Sequence, residues 1–363
     1  MPKDPRKGIA LALSGGGFRA TLFHAGAFLR LNELGLLRNI SRFVSVSGGA
    51  LAAGALAHEW SSLRWTDARA DNLGIVVEKL RQFCRRDLDV PAVLEGFMHP
   101  SRTPIEVLRR SYEKHLFGKF LLRELPWRPT FIFQATNLST GKAFRFGRDY
   151  VADYLIGSAP SDGITLATAV AASSAFPPLL SPLVLRIKAS SFRRLRGAKL
   201  YDAPGYRTEL KLSDGGVYDN LGLESAWDSE TVLVSDAGAP FEHSAELDLS
   251  WHRQASRALD IATAQARGLR RRWLVDQFVR EVRKGAYWGI TTNVADYSVH
   301  EARISPALQE KLATLRTRLN CFTDSEQEQL INLGYALCDA ACRSRLSPAE
   351  HPFALPYPSQ PLG

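Results

Sequence analysis

The chain has 363 residues and a formal net charge of +9, with 45% hydrophobic and 23% charged residues. These values place it in the soluble globular class and exclude an intrinsically disordered chain. The positive balance favours an acidic partner surface, either anionic lipid or nucleic acid, but no zinc-finger spacing, RNP-like aromatic stretch or GxxG clamp supports nucleic acid. Gly8 to Leu13 forms a short apolar run entering Ser14-Gly15-Gly16-Gly17, which predicts a strand running into a tight glycine loop. From Arg19 to Gly35 the apolar residues recur at helical spacing. The same architecture then repeats. Arg42 to Val46 predicts a strand, Ser47-Gly48-Gly49 a sharp turn, and Ala50 to His58 an alanine-rich helix.

Residues 60 to 125 alternate apolar and charged positions at helical spacing, punctuated by prolines 91, 100 and 104, and predict a helical insertion. Phe131 to Ala135 and Thr231 to Ser235 predict core strands, and Gly163 to Ser174 a buried helix. Strands mixed with helices argue for an α/β fold. Residues 186 to 199 hold six basic residues and no acidic one, and Arg267, Arg270, Arg271 and Arg272 form a second basic cluster beside Trp273. Each cluster is either a solvated surface or a peripheral lipid contact. After Trp251 long helical patterns dominate, and the proline-rich tail from Pro348 to Gly363 predicts a loosely ordered end.

The sparse cysteines Cys84, Cys321, Cys338 and Cys342 contain no CxxC pair, which fits a reducing compartment. The first ten residues lack the apolar stretch and cleavage site of a secretory signal, and no apolar run reaches the roughly 20 residues of a membrane span. A cytoplasmic protein that meets membrane peripherally is the expectation. The histidines show no HxxxH or HExxH spacing, so no metal and no cofactor are expected.

Three glycine-bearing segments carry the chemistry. Ser14 to Ala20 lies between strand and helix, where backbone N–H groups and the helix N-terminus can hold an anion. That loop reads as an oxyanion hole, a nucleotide loop or a plain turn; the third glycine of GxGxxG is missing, and no GK[ST] follows. Ser45-Val46-Ser47-Gly48-Gly49 resembles a nucleophile elbow with serine in place of the usual first glycine. Asp214-Gly215-Gly216 is by default a turn.

Taken together, GGGFRA with His24-Ala25-Gly26, SVSGG, TNLSTGKAFRF at 136 to 146, AVAASSAFPPLLSP at 169 to 182, and DGGVYDNLG at 214 to 222 resemble the patatin-like phospholipase family in identity, order and spacing. The SGGGFRA form is also similar to the glycine loop of the cytosolic phospholipase A2 group. The resemblance implies a three-layer α/β/α hydrolase with a central, mostly parallel sheet and additional C-terminal helices. It divides the chain into a catalytic domain at 1–240, with the insertion at about 60–125, and a mainly helical extension at 241–363 packed on it.

Carried over, the family's nucleophile falls on Ser47, its dyad aspartate on Asp214, and its oxyanion donors on the backbone of Gly15, Gly16 and Gly17. Arg19 matches the loop arginine, which braces the loop or meets a phosphate, and Gly49, Gly215 and Gly216 support the two turns. The implied reaction is hydrolysis of acyl esters in phospholipids or lysophospholipids through an acyl-enzyme. The rival reading is a weakly catalytic scaffold that binds lipid or an anionic partner, motivated by Ala20 and Ser45 where the family favours glycine. His24 reads as a packed helix residue rather than a third catalytic member.

Overall fold

The computed structural model describes residues 6–88, 103–248, 250–346, 348 and 351–363. Prolines 91 and 100 of the expected insertion lie outside the described residues.

The apolar run at the start forms β1 (Arg6–Leu13), which enters the glycine loop and α1 (Gly17–Glu33). β2 (Ile40–Ser45) and α2 (Gly48–Glu59) repeat the unit. β1 pairs in parallel with β2, with α1 as the crossover between them. The insertion begins with a small hairpin, β3 (Trp65–Thr66) and β4 (Arg69–Ala70), which the helical spacing did not suggest, and continues with α3 (Gly74–Cys84) and α4 (Pro104–Tyr112). β5 (Thr130–Asn137) pairs in parallel with β2.

Beyond β5 the sheet changes character. β6 (Lys142–Phe146), β7 (Val151–Asp153) and β8 (Gly157–Ala159) form an antiparallel meander on its outer side. α5 (Leu166–Ser173) follows, its start fixed by Thr165, whose hydroxyl accepts the Thr168 N–H. β9 (Leu183–Arg186) and β10 (Glu209–Ser213) pair antiparallel, and the end of β10 joins the end of β5. β11 (Ser229–Asp236) then returns to the other side of β1. The sheet is mixed, parallel through its centre and antiparallel beyond β5.

The C-terminal third adds α6 (Trp251–Val279), β12 (Lys284–Gly289), α7 (Pro306–Ala313) and α8 (Asp324–Leu346). β12 completes the parallel sheet beside β11, so the sheet itself crosses residue 240. α8 lies against α1 with backbones in close approach. A Cβ on Gly26 would sit 1.9 Å from the Ile331 carbonyl oxygen, and one on Gly334 1.9 Å from that of Phe23. A buried ion pair, Arg30 to Asp339 at 2.7 Å, locks the same interface.

Alternation along the strands builds the layers. Leu11, Leu13 and Phe43 point into the larger core with α1, α2 and α8, whereas Ala10, Ala12 and Val44 point to a smaller core closed by Leu274 and Phe278 of α6. The tail departs from the loose end that its prolines suggested. Asn332 donates to the carbonyls of Tyr357 and Gln360, Ser305 donates to that of Leu362, and Leu362 is buried. Apolar tail residues pack on the larger core, and that burial offsets the cost of ordering the chain. Among the described residues no helix is long and apolar enough to cross a membrane.

Candidate active site

Ser47 stands between β2 and α2 with φ 51° and ψ −118°, a left-handed conformation that a side-chain-bearing residue adopts only when its surroundings impose it. Two close approaches impose it here. A Cβ on Gly48 would lie 2.1 Å from the Gly17 carbonyl oxygen, and one on Gly49 2.5 Å from that of Leu13, so only glycines let the start of α2 press against the glycine loop. Ser173, at the end of α5, steadies the elbow. Its hydroxyl accepts the Ser47 N–H at 2.9 Å and donates to the Gln134 carbonyl at 2.7 Å.

Asp214 follows β10 and is buried, 3% exposed. Its N–H donates to the Ala175 carbonyl, Thr136 donates to its carbonyl oxygen, and Gly215 donates to Ser173. Gly215 itself approaches the Gln134 carbonyl too closely to carry a Cβ. The Asp214 side chain accepts the Gly216 N–H at 2.7 Å. Burial pushes its carboxyl up to about 6, against the Gly216 N–H and a hydrogen bond from the Ser47 side chain, both of which pull it down. A carboxylate poised there is mostly ionised at pH 7 yet basic enough to take a serine proton.

The glycine loop separates its three expected donors. The Gly15 N–H is committed to the Asn220 carbonyl at 3.1 Å, which removes Gly15 from the oxyanion assignment. Among the described residues no acceptor meets the N–H of Gly16 or Gly17, and both line the cavity with Ser47 and Asp214. Arg19 is fully buried. Its guanidinium donates to the carbonyls of Ala237 and Leu315, so of its two expected roles it has the bracing one. Burial lowers it to about 10. The C-terminal segment closes on the same loop: Phe18 donates to the Arg318 carbonyl, and a Cβ on Gly17 would stand 2.0 Å from that of Thr317.

His24 is buried beneath the loop, bonded to the Ser235 hydroxyl at 2.8 Å and to the Ser14 carbonyl at 2.9 Å rather than to Ser47 or Asp214. Burial holds it at about 4, so it is neutral. Among the described residues no cluster of three or more His, Cys, Asp or Glu side chains is arranged to hold a metal.

The cavity that these groups share has a volume of about 730 Å³. Phe176 and Leu179, 55% and 56% exposed, stand on its lining beside Pro177 and Pro178, and one face of α6 covers the other side through Arg257, Thr263 and Arg267. Sequence reasoning missed Ser173, and it placed Arg267 in a surface cluster and Asn220 in a turn rather than in the cavity lining. Ser173 lay inside the quoted AVAASSAFPP segment, but nothing in the spacing indicates that its hydroxyl reaches the elbow.

The basic clusters differ from their expected surfaces. In the second, Arg270 pairs with the buried Asp219 at 3.2 Å and donates to the Tyr218 carbonyl, Arg267 points into the cavity, and Arg272 is the exposed member. Trp273 stacks on Trp227, ring centroids 3.9 Å apart. In the first, Arg193 and Arg196 are exposed and Arg194 is paired with Asp202, but Phe192 is buried and cannot insert into a lipid layer.

The sequence profile described as "Patatin-like phospholipase" matches residues 11–227, more than half of the chain. Among solved structures the chain is similar to human GIVD cytosolic phospholipase A2, with 15% identity, 93% of this chain and 61% of that chain covered, and a TM-score of 0.51. The same human protein in complex with methyl gamma-linolenyl fluorophosphonate gives 16% identity, 92% and 57% coverage, and a TM-score of 0.52. At such identity the likeness is one of fold, and the chain spans about three-fifths of that protein's length. No curated protein matches the chain.

Proposed function

The chain belongs to the patatin-like phospholipase family, and from that premise we propose that it hydrolyses acyl esters of phospholipids or lysophospholipids with Ser47 as nucleophile and Asp214 as its base. The observation that carries the reading is the strained Ser47 elbow opening into the same cavity as a buried carboxyl raised to about 6.

The chemistry follows from those groups. Asp214 accepts the Ser47 proton as the serine oxygen bonds to the acyl carbon, and the developing oxyanion lies against the N–H groups of Gly16 and Gly17. Such donors supply about 3 kcal/mol each. Collapse expels the alcohol, which takes its proton from Asp214, and leaves an acyl-serine. Water then attacks, giving its proton to Asp214, and the second collapse releases the fatty acid while the Ser47 oxygen takes that proton back from Asp214. The cavity volume is in the range that holds a lipid-sized ligand.

Access to an aggregated substrate is part of the same proposal. The exposed Phe176 and Leu179 at the cavity, together with the exposed arginines of 186–199, form an apolar and cationic contact for an anionic lipid surface. The deciding experiment is covalent labelling of the full chain with an alkyl fluorophosphonate. One adduct on the Ser47 peptide with matching loss of ester hydrolysis is expected, and no labelling of a folded protein would leave the weakly catalytic scaffold as the better reading.

A further inference from the structure

Arg19 has no part in meeting substrate, because it is buried and occupied by carbonyl oxygens. Two of the cations that line the cavity come from α6 and a third, the exposed Arg318, from the segment before α8; the two on α6 differ in what holds them. Arg257 lies over the Phe241 ring at 4.2 Å, with Asp260 as its electrostatic counterpart on the same helix. Arg267 is 17% exposed, and its nearest carboxylate oxygen, that of Asp236, stands 4.0 Å away. Asp236 also has closer partners than Arg267. One oxygen accepts the Gly238 N–H at 2.9 Å, the other the Tyr287 hydroxyl at 2.9 Å. Among the described residues the Arg267 guanidinium has one carboxylate at ion-pair distance and makes no hydrogen bond.

Its position is specific. Nη1 of Arg267 rests above Gly238, 1.9 Å from where a Cβ would be, and Asn220 Nδ2 comes within 3.1 Å of the same point. The other end of that amide, Oδ1, faces Gly15 and Gly216, the two turns that carry the glycine loop and the dyad aspartate. A guanidinium with unused N–H donors and a side-chain amide thus converge on one wall of the cavity next to the reacting groups. A planar fork of donors held in place by a helix suits a tetrahedral oxyanion.

We propose that Arg267, assisted by Asn220, binds the anionic group of the acyl-ester substrate, so that the cavity selects phosphate-bearing esters over neutral ones. The inference rests on the reading of this cavity as an acyl-ester site, and it makes Arg267 a specificity-determining residue. Arg267 touches neither the acyl carbon nor the attacking oxygen.

The test compares 1-oleoyl lysophosphatidic acid with 1-oleoylglycerol, presented in the same neutral detergent micelles to the full chain. The ratio of their kcat/KM values should fall at least tenfold in Arg267→Gln, mainly through KM, and recover in part in Arg267→Lys, since a charged hydrogen bond is worth about tenfold or more in affinity. An unchanged ratio, or equal loss on both esters, would overturn the assignment. Equilibrium binding of lysophosphatidic acid to Ser47→Ala protein, with and without Arg267→Gln, decides independently of turnover. Binding should weaken tenfold or more, and an unaltered Kd would overturn the proposal. If wild type hydrolysed neither ester the hydrolase reading would fail, while the binding comparison would still judge Arg267.

Discussion

The two longest helices near the cavity are built on opposite terms. In α1 all 17 residues but Leu29 and Glu33 are buried, whereas in the 29-residue α6 only Leu274 and Phe278 are. α1 is wedged between the sheet and α8, and its first turn carries the glycine loop. α6 is held chiefly near its C-terminal half, through Arg270 on Asp219 and Trp273 on Trp227, and it turns charged residues toward the cavity while Trp251, Ile261 and Leu269 stay exposed. Helical length in a sequence therefore says little about rigidity. The half of the site proposed to do chemistry is fixed by the core, and the half that covers it rests on a few polar and aromatic contacts.

The largest effects should fall on the fixed half. Ser47→Ala should lower kcat for a p-nitrophenyl acyl ester by about 10⁴-fold or more with an unchanged circular dichroism spectrum. A folded variant keeping a tenth of wild-type activity would sink the nucleophile assignment. Next comes the α1–α8 contact: Gly334→Ala drives a methyl into the Phe23 carbonyl and should cost about 3 kcal/mol in urea unfolding. A cost below about 1 kcal/mol would mean that the two helices slide apart easily, and the contrast with α6 would collapse.

Two buried groups in the fixed half make its stability depend on pH in opposite directions. His24 is held at about 4 in the fold and takes a proton near 6.5 when unfolded, so its contribution is full above 6.5 and is lost as pH falls toward 4. Asp214 is held at about 6 against 3.8 unfolded, so its ionised form costs stability above 6, and that cost is relieved as pH falls toward 3.8. Each amounts to about 3 kcal/mol at ~1.4 kcal/mol per tenfold, and in wild type they nearly cancel. Asp214→Asn should therefore be inactive and more stable than wild type at pH 7, and it should lose stability toward pH 4.5. His24→Gln should show the reverse slope. Parallel urea midpoints across that range in both variants would refute the linkage. Wild-type turnover should fall tenfold per pH unit below about 6, as the proposed base becomes protonated.

The smallest effects belong to α6. Ile261→Ala and Leu269→Ala, both at exposed positions, should change unfolding free energy by no more than about 0.5 kcal/mol. Amide exchange should be orders of magnitude faster at 251–264 than at 20–31. Equal protection would show that α6 belongs to the same cooperative unit as α1.

The glycine loop, the elbow and the aspartate turn were legible in sequence because each needs glycine for a steric reason that no other residue meets. Other features were not. β12 is a six-residue apolar segment set among long helical patterns, so periodicity alone could not separate it from a helix. The hydrogen bond that occupies the Gly15 N–H runs to the Asn220 carbonyl, some two hundred residues away. Arginines at 267 and 270 look like surface charge in any window of sequence, and only the partners Asp236 and Asp219 turn them inward. The tail's prolines suggested looseness, while Phe353, Leu355, Tyr357 and Leu362 supply enough apolar surface to hold it.

The closure of residues 315–319 on the glycine loop also sets a schedule for the ribosome. The Leu315 carbonyl that holds Arg19 and the Thr317 backbone that presses on Gly17 are made some three hundred residues after the glycine loop. At about 5 to 20 residues per second that is a delay of roughly 15 to 60 s. During it the nascent chain carries Ser47, the proposed nucleophile, without the brace, so a polypeptide cut short before residue 315 should show no ester hydrolysis however well its first half folds.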